Sequence, residues 1–370
     1  MPIDRSASIL FSPIKIGTLL VPNRFIRSAT HEFMADEDGT VTPRLAALYR
    51  ELAAGEIGLL ISGHFYVLPE GKASPRQTGI FDDRFIAGLK TLPRAVHDFP
   101  TRIFAQLAHA GRQTKMNLIE GTPIAPSAVF EPTVKLMPRE ATAADIARII
   151  DSFVEGARRA HEAGFDGVQL HAAHGYLLSA FLSPYTNRRT DEWGGSTEKR
   201  VRIVVEIIRT IRDRHHLFPI IVKLNSDDFL EGGLRPEESI EIARLLEAAG
   251  LDGIEVSGGT AEAGKGSMWA GLRAEADEGY FVPAAERIKA AVRIPVFGLG
   301  GNRTFDVLER FVRDGRVDLI SLSRPLIREP HLVRQFRLGE IARSSCISCN
   351  KCFNPRGISC GDLKVQSRRI

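Results

Sequence analysis

The chain has 370 residues, 44% of them hydrophobic, and is long enough to bury one barrel-sized core or two smaller cores. Its 49 basic and 45 acidic residues give a net charge of +4, and the scattered basic residues argue against a nucleic-acid-binding protein. No apolar run approaches the ~20 residues of a membrane span and no secretory signal is recognisable, so a soluble cytoplasmic protein is expected.

Short apolar segments alternate with amphipathic helical segments along most of the chain. After a hairpin at 12–24, the strand candidates are NRFIRSAT, IGLLISG, RIFAQLAHA, GVQLHAAH, IIVKLNS, GIEVSGG, PVFGLGG and DLISLSR. Two helical patterns between them begin at the candidate N-caps Thr142 and Ser196, and two end at Gly164 and Gly250.

Eight strand-helix units predict an α/β fold, a (β/α)8 TIM barrel over residues 1–340, followed by a cysteine-containing extension at 341–370. A doubly wound open sheet uses the same units, but no GxGxxG fingerprint follows the first strand. In a barrel the active site lies at the carboxyl ends of the strands. The candidates at those ends in the first six strands are Ala29, Thr30, His31, His64, Gln106, His171, His174, Tyr176, Lys223 and Ser257.

The last two strands end in a glycine-rich turn and in an arginine. Gly300 and Gly301 lie in GLGGNR, and Ser323 and Arg324 lie in SLSRPL. The backbone N–H groups of such a turn and paired hydrogen bonds from an arginine favour an anion. The sequence therefore predicts a phosphate site there.

His171 and His174 follow the fourth strand at a spacing that metal sites also use. No third carboxylate or cysteine ligand is close in the sequence, which counts against a catalytic zinc. We interpret both imidazoles as donors to an electronegative oxygen and Tyr176 as a proton donor, because a phenol with a pKa near ~10 is protonated at pH 7. Histidines that serve only to satisfy one another in the barrel mouth are the remaining alternative.

The cysteines cluster near the C-terminus, as Cys346, Cys349, Cys352 and Cys360. Clustered thiols in a long chain without an export signal indicate metal ligands or redox groups rather than disulfides. The C-x2-C-x2-C spacing of the first three suits a [4Fe–4S] cluster or structural zinc, and a reduced, metal-free segment is the third alternative.

Several segments resemble, in order, those of the old yellow enzyme family of flavin-dependent oxidoreductases. They are NRFIRSAT, QLAHAGRQ, FDGVQLHAAHGYLLSAFLSPYTNRRTDEWGGSTEKR and SLSRPLIREP, within a likeness that spans about residues 10–338. The resemblance implies a bound FMN. Its phosphate would lie on Gly300, Gly301, Ser323 and Arg324.

The resemblance also implies roles around the flavin ring. Gln106 would bind the pyrimidine edge, and Lys223 would lie near the N1–C2=O side, where a cation stabilises the reduced flavin. Thr30 or His31 stands where many relatives have a residue that tunes the flavin. The histidine pair would hold the substrate oxygen, and Tyr176 would supply a proton. The predicted cofactor-binding set is completed by Ala29, His64 and Ser257.

Within the family, RSATHEFMA and the late cysteines are more similar to the branch containing 2,4-dienoyl-CoA reductase and trimethylamine dehydrogenase. In that branch a [4Fe–4S] cluster follows the barrel, and a second domain for FAD or ADP follows the cluster. With its end at Ile370, this chain is expected to lack that domain. Its gap of seven residues before the fourth cysteine is shorter than in the branch.

The implied activity is FMN-dependent reduction of the C=C bond of an activated alkene, such as an enone or enoyl compound, with NADH or NADPH as donor. The alternative within the family oxidises an amine or N-methyl substrate and passes electrons through the cluster to a partner protein. A Schiff-base aldolase using Lys223 would leave the histidines, Tyr176 and Gln106 unexplained. A metal-stapled binding protein is a further alternative.

The expected partners are a small-molecule substrate and a nicotinamide donor, with no nucleic acid and no membrane. An electron-transfer partner and a second copy of the chain are left open.

Overall fold

The computed structural model describes residues 4–264 and 266–366, the last three by their backbone alone. The strands in chain order are β1 (Ile14–Ile16), β2 (Leu19–Val21), β3 (Phe25–Arg27), β4 (Leu59–Tyr66), β5 (Arg102–Ala108), β6 (Ile124–Ala125), β7 (Arg139–Glu140), β8 (Gly167–Ala172), β9 (Ile220–Asn225), β10 (Gly253–Ser257), β11 (Val296–Gly298) and β12 (Leu319–Leu322).

The α-helices are α1 (Pro43–Ala54), α2 (Ile86–Leu89), α3 (Thr91–Val96), α4 (Ala143–Ala163), α5 (Leu177–Leu182), α6 (Thr197–Arg214), α7 (Pro236–Ala248), α8 (Val282–Lys289), α9 (Phe305–Arg313), α10 (Arg324–Arg328), α11 (Leu332–Arg337) and α12 (Gly361–Gln366). Short 3-10 helices span Ile9–Phe11, Pro69–Gly71, Asp83–Phe85, Gly111–Gln113 and Glu275–Asp277. None of the helices in the described ranges is long and apolar enough to cross a membrane.

A closed barrel of parallel strands lies at the centre, in the order β3, β4, β5, β8, β9, β10, β11 and β12, with β12 pairing back to β3. Seven of the eight predicted strand segments contain one of these strands, and the remaining one, IGLLISG, covers only the first five residues of β4, which continues to Tyr66. The predicted (β/α)8 barrel is confirmed, and the open sheet is excluded because the strands close on themselves. The antiparallel pair β1 and β2 confirms the predicted hairpin.

The helix ends follow the local sequence signals. Thr142 forms a capping box with Asp145 at the start of α4, and Gly164 ends that helix with φ 89°, a left-handed conformation that favours glycine. Ser196 precedes α6 but makes no capping hydrogen bond from its side chain. Gly250, with φ 101°, comes one residue after the C-cap of α7.

Apolar side chains pack on both faces of the barrel strands. Between the strands and the outer helices lies the larger core, and inside the barrel lies a smaller cluster that includes Ile61, Phe104 and Phe297. Ile16 and Val21 of the N-terminal hairpin belong to this inner cluster and are fully buried. The hairpin thus closes the amino-terminal end of the barrel and leaves its carboxyl-terminal end for the site.

The C-terminal extension, residues 341–366 of the described chain, packs on the carboxyl-terminal side of the barrel. The N–H of Gly271 donates to the Ser348 carbonyl at 3.1 Å, and the N–H of Ile358 donates to the Glu32 carbonyl at 2.8 Å. The extension therefore runs from the loop after β10 to the loop after β3. Its separation from the barrel as a unit, 341–370 against 1–340, stays a prediction, and 367–370 lie outside the described residues.

Candidate active site

A cavity of about 480 Å³, here called the rim cavity, opens at the carboxyl ends of the barrel strands. The predicted site residues that line it are Ala29, Thr30, His31, His64, Gln106, His171, His174, Tyr176, Lys223, Ser257, Gly301, Ser323 and Arg324. Gly300 and the four cysteines are not among the lining residues, although Ser348 and Phe353 of the extension are. Residues from all eight strand ends and from the extension thus meet in one place.

Aromatic and imidazole rings lie against one another in the cavity wall. We call this group the rim cluster: His64, His171, His174 and Tyr176. The ring centroid of His171 lies 5.2 Å from that of His174 and 4.8 Å from that of Tyr176. The Tyr176 hydroxyl is 3.4 Å from Nε2 of His64, and Nε2 of His174 is 2.8 Å from Oγ of Ser257.

A tight turn after β8 brings these side chains to the same wall. His174 has φ 64°, an unusual left-handed conformation for a histidine. Its N–H donates to Oδ1 of Asn225 at 3.1 Å, and its carbonyl accepts from Nε2 of Gln113 at 3.0 Å. The end of β9 and the 3-10 helix Gly111–Gln113 therefore hold the strained turn in place from both sides.

Burial sets the protonation states of the rim cluster. Loss of solvation lowers the pKa of His64 to about 4 and that of His174 to about 3, and the nearby charge of Lys223 acts in the same direction. Burial, followed by His174 and Lys223, holds the pKa of His171 well below its usual value. Burial raises the pKa of Tyr176 to about 12. At pH 7 the imidazoles are neutral and the phenol carries its proton.

A bulge in β4 turns His64 into the cavity. The pairing of β4 with β5 shifts register between Ile61 and His64. The N–H of Gly63, within the bulge, donates to Oε1 of Glu32 at 3.1 Å and to the hydroxyl of Tyr49 at 3.0 Å. A Cβ at Gly63 would collide with the Glu32 carboxylate, so the bulge requires glycine.

The predicted phosphate region is held by a dense set of contacts. The Ser323 hydroxyl lies 2.9 Å from that of Thr30. Nη1 of Arg324 donates to the Trp269 carbonyl at 2.8 Å and to Oδ1 of Asn350 at 2.6 Å. Arg324 thereby joins the loop after β10 to the C-terminal extension while its side chain lines the cavity.

Of the two glycines in the predicted phosphate turn, Gly301 lines the cavity and Gly300 does not. The Gly300 carbonyl accepts from the N–H groups of Gly279 and Tyr280. The N–H groups of Arg303 and Thr304, just before α9, both donate to Oε2 of Glu278 at 2.8 Å. The two N–H groups just before α9 are therefore bound by a protein carboxylate, and a phosphate role for Gly300, Gly301, Ser323 and Arg324 stays a prediction.

The cavity wall suits a polar ligand with a charged end. Nδ1 of His171 and Oδ1 of Asn302 are buried and have no hydrogen-bond partner among the described residues. Buried polar atoms are nearly always paired, so both are available to a bound molecule. Together with Gln106, Lys223 and Arg324 they fit FMN, which has a polar ring edge and a terminal phosphate.

The four thiols of the extension lie near one another, outside the cavity wall. Cys346 and Cys352 are buried, whereas Cys349 and Cys360 are half-buried. Burial, and then the other three thiols, raise the pKa of Cys352 to about 11. Within the described ranges, no group of three or more His, Cys, Asp or Glu side chains is arranged to hold a metal ion. A cluster or zinc at these cysteines stays a prediction.

Comparison with known proteins was made on the sequence and on the fold. The model of the NADH:flavin oxidoreductase / NADH oxidase family matches residues 9–340. The chain belongs to this family. This membership confirms the resemblance to old yellow enzyme found in the sequence.

Individual members of the family agree with this assignment. An NADH oxidase from Thermoanaerobacter brockii is 41% identical over 348 residues, which cover 92% of this chain and 52% of that protein. An NADPH dehydrogenase from Geobacillus sp. strain WCH70 is 37% identical over 88% of this chain and 92% of its own length. The old yellow enzyme homologue from Zymomonas mobilis superposes with a TM-score of 0.81 at 28% identity, over 95% and 97% of the two chains. The chain thus spans about half the length of the NADH oxidase and nearly all of the other two.

Sequence reasoning missed several residues of the site. Thr260 and Phe353 line the cavity from the loop after β10 and from the extension, and no pattern in the sequence distinguishes them. Asn302 also lines it, and this residue lies within the predicted GLGGNR turn. Gln169 and Glu255 lie just beneath, within barrel strands. A signal for this pair was present, because each is a polar residue between two apolar neighbours of a strand segment, in GVQLHA and GIEVS.

Proposed function

We propose that this chain is an FMN-dependent NAD(P)H oxidoreductase that reduces the C=C bond of activated alkenes of the enone or enoyl type. One observation carries the proposal. The rim cluster shares a single cavity with Lys223 and Arg324, so a group that binds substrate oxygen faces the same space as a group suited to FMN. Membership of the NADH:flavin oxidoreductase family supports both the cofactor and the donor.

The residues suited to FMN divide between its two ends. Ser323 and Arg324 would hold the phosphate, while Gln106 and Lys223 would meet the polar edge of the ring. When bound, FMN supplies the hydride chemistry that links a nicotinamide donor to a carbon acceptor.

The rim cluster would bind the substrate oxygen and supply the proton. His171 and His174 are neutral at pH 7, so each can donate one hydrogen bond to a carbonyl oxygen without carrying a charge that must be desolvated. Such donors stabilise the negative charge that develops on that oxygen as the alkene is reduced. Tyr176 keeps its proton at pH 7 and would deliver it from its hydroxyl to the α-carbon.

His64, which is predicted from the sequence to bind the cofactor, also lies close to the hydroxyl of Tyr176, the proposed proton donor. Its Nε2 lies 3.4 Å from the Tyr176 oxygen, which is close enough to hold the phenol toward the cavity. We therefore include His64 with the residues that orient the proton donor.

The proposal is tested with the chain as purified, whose flavin is released and identified before any FMN is added. Chromatography of the released flavin should identify FMN, and anaerobic mixing with NADH or NADPH should bleach the flavin absorption. A cyclic enone should then restore the oxidised spectrum and be recovered as the saturated ketone. Release of FAD, absence of flavin, or restoration of the spectrum by no alkene would contradict the proposal.

The same experiment separates the alternative within the family. Reduction of the flavin by an N-methyl amine in place of a nicotinamide would identify an amine dehydrogenase. No contact in the described residues favours that direction, and an electron-transfer partner or a second copy of the chain stays a prediction.

A further inference from the structure

A row of polar side chains crosses the barrel beneath the rim cavity. We call it the floor network: Gln106, Gln169, Glu255 and Lys223. Nε2 of Gln106 donates to Oε1 of Gln169 at 2.7 Å, and Nε2 of Gln169 donates to Oε2 of Glu255 at 2.9 Å. Nζ of Lys223 lies 3.2 Å from the same Glu255 oxygen. Gln169 and Lys223 thus both contact the same carboxylate oxygen of Glu255.

The barrel strands themselves fix the positions of these side chains. Gln106 on β5 lies opposite Gln169 on β8, and Lys223 on β9 lies opposite Glu255 on β10. Gln169 and Glu255 are fully buried, at 0% exposure, and Gln106 and Lys223 are 2% and 3% exposed. Neighbouring strands therefore hold all four in a buried layer.

The charge of Glu255 decides the direction of every hydrogen bond in the row. Burial by itself would raise the pKa of this carboxyl, but Lys223 and hydrogen bonds, including that from Gln169, outweigh burial and keep the pKa below its usual value. An ionised carboxylate can only accept hydrogen bonds. Gln169 must then turn its NH2 group toward Glu255, and its remaining oxygen must accept from the NH2 group of Gln106.

Gln106, the amide at one end of the floor network, lines the rim cavity. Because Gln106 uses its nitrogen on Gln169, the group that it can offer a ligand as an acceptor is its amide oxygen. Lys223 also donates to the Ser28 hydroxyl at 2.9 Å, so its ammonium group is held between Ser28 and Glu255 at the cavity wall. The floor thus offers one acceptor and one cation at fixed positions.

We infer that Gln169 and Glu255 are positioning residues that make Gln106 an acceptor toward the N3–H edge of a bound flavin and partly neutralise Lys223 beside it. The inference rests on the proposed function, since it takes FMN as the ligand. It goes beyond that function by assigning roles to two residues that lie behind the cavity wall. Gln169 controls the orientation of an amide, and Glu255 controls both that orientation and the local charge.

Two variants separate the orientation from the charge. Gln169→Met removes the hydrogen-bond chain to Gln106 but leaves the Lys223–Glu255 pair intact. Glu255→Gln removes the negative charge but retains an oxygen that can accept from both Gln169 and Lys223. The readouts are the dissociation constant of FMN, from the quenching of its fluorescence, and the midpoint potential of the bound flavin.

Gln169→Met should weaken FMN binding about two- to tenfold, the usual value of one internal hydrogen bond, with little change in potential. Glu255→Gln should retain FMN and shift the potential to a more positive value, because Lys223 then stabilises the anionic reduced flavin without an opposing charge. Unchanged affinity in the first variant and unchanged potential in the second, with both proteins folded by circular dichroism, would overturn the inference.

A measurement on the unmodified chain covers the case in which a variant does not fold. FMN methylated at N3 has no hydrogen to donate to Gln106, so the native protein should bind it at least about tenfold more weakly than FMN. Equal binding of the two flavins would overturn the assigned orientation. Failure of the native protein to bind any flavin would instead refute the proposed function, so the two failures are distinguishable.

Discussion

The floor network and the rim cluster hold buried titratable side chains in adjacent layers of the barrel, yet the two groups compensate the cost of burial differently. In the floor, Lys223 lies 3.2 Å from Glu255, and each charge compensates the other. In the rim, the histidines face one another and Lys223, and each of these neighbours opposes a second positive charge. Burial therefore preserves a charge pair in one layer and enforces neutrality in the next.

The difference between a charge pair and neutral side chains matches the proposed role of each layer. A fixed charge pair beneath the ligand changes little during a reaction, so it can set the potential of the cofactor. At pH 7, neutral imidazoles can donate hydrogen bonds. A protonated phenol can donate its proton and then be protonated again. The predictions below test whether the two layers are separable in this way.

Removing the proton donor should give the largest effect. Tyr176→Phe should slow the reduction of an enone by about 10²- to 10⁴-fold, the usual contribution of a positioned acid. Reduction of the flavin by the nicotinamide should change little, because the phenol is proposed to act only on the alkene. Stopped-flow absorption measures the two half-reactions separately, and equal slowing of both would contradict the assignment.

Removing both oxygen-binding histidines should have the next largest effect. The double variant His171→Ala, His174→Ala should lose about 10²- to 10³-fold in alkene reduction, since donors to a developing oxyanion are removed. It should also stop binding phenolic ligands that give a long-wavelength absorption band, while FMN stays bound. Retention of that band at wild-type affinity would show that the histidines do not hold the oxygen.

Breaking the charge pair of the floor should act mainly on stability. Lys223→Met leaves Glu255 as an unpaired buried carboxylate, which costs about 3–5 kcal/mol. Denaturant unfolding of the flavin-free protein measures this loss. The double variant Lys223→Met, Glu255→Gln should recover much of it because no charge remains, and failure to recover would show that the pair is not what stabilises this layer.

The rim histidines should make the folded state sensitive to acid. Their folded pKa values, about 4 for His64 and about 3 for His174, lie below the ordinary value of 6.5. Between the folded and the unfolded pKa values, the unfolded chain binds protons that the folded chain does not. The contribution of these histidines to the free energy of unfolding is therefore fully present above pH 6.5 and decreases as the pH falls. Each histidine contributes at most about 1.4 kcal/mol per pH unit.

Thermal unfolding of the flavin-free protein between pH 7 and pH 5 measures this dependence. His64→Gln, which cannot titrate, should have a shallower decrease in Tm over that range than the native chain. An equal decrease in both proteins would place the acid sensitivity elsewhere in the molecule.

The smallest effect on the cavity is expected from the extension. Cys349→Ser should leave the FMN content unchanged, because none of the four thiols lines the rim cavity. If the cysteines ligate a [4Fe–4S] cluster, anaerobically prepared native protein should contain roughly four irons per chain, and the variant should lose them. Zinc in place of iron would identify a structural site, and neither metal would leave a reduced thiol segment.

Much of the barrel could be predicted from sequence because its signals are local. Apolar strand segments, the capping box at Thr142 and the glycine at 164 each act over a few residues. The rim cluster was also predictable, since His171, His174 and Tyr176 follow a single strand and barrel geometry places strand ends together.

The contacts between strands could not be predicted in the same way. Gln169 meets Glu255 across 86 positions of the chain, and their pairing depends on the barrel register. The Gly300 carbonyl likewise finds its partners in another segment, the N–H groups of Gly279 and Tyr280 before α8. Patterns within one segment carry no information about which partner a polar group will find.

The bulge in β4 also bears on how such a site can change during evolution. Side chains alternate between the two faces of a strand, and the extra residue at Gly63 shifts that alternation for everything after it. Because β4 has one residue more than β5 between the pairs Ile61–Phe104 and His64–Gln106, loss of one codon there would remove the bulge and leave His64 opposite Gln106. A single deletion at this point would thus keep the imidazole beside Tyr176, so the chemistry of this cavity is more sensitive to point substitutions at His64 than to a small change in gene length at the bulge.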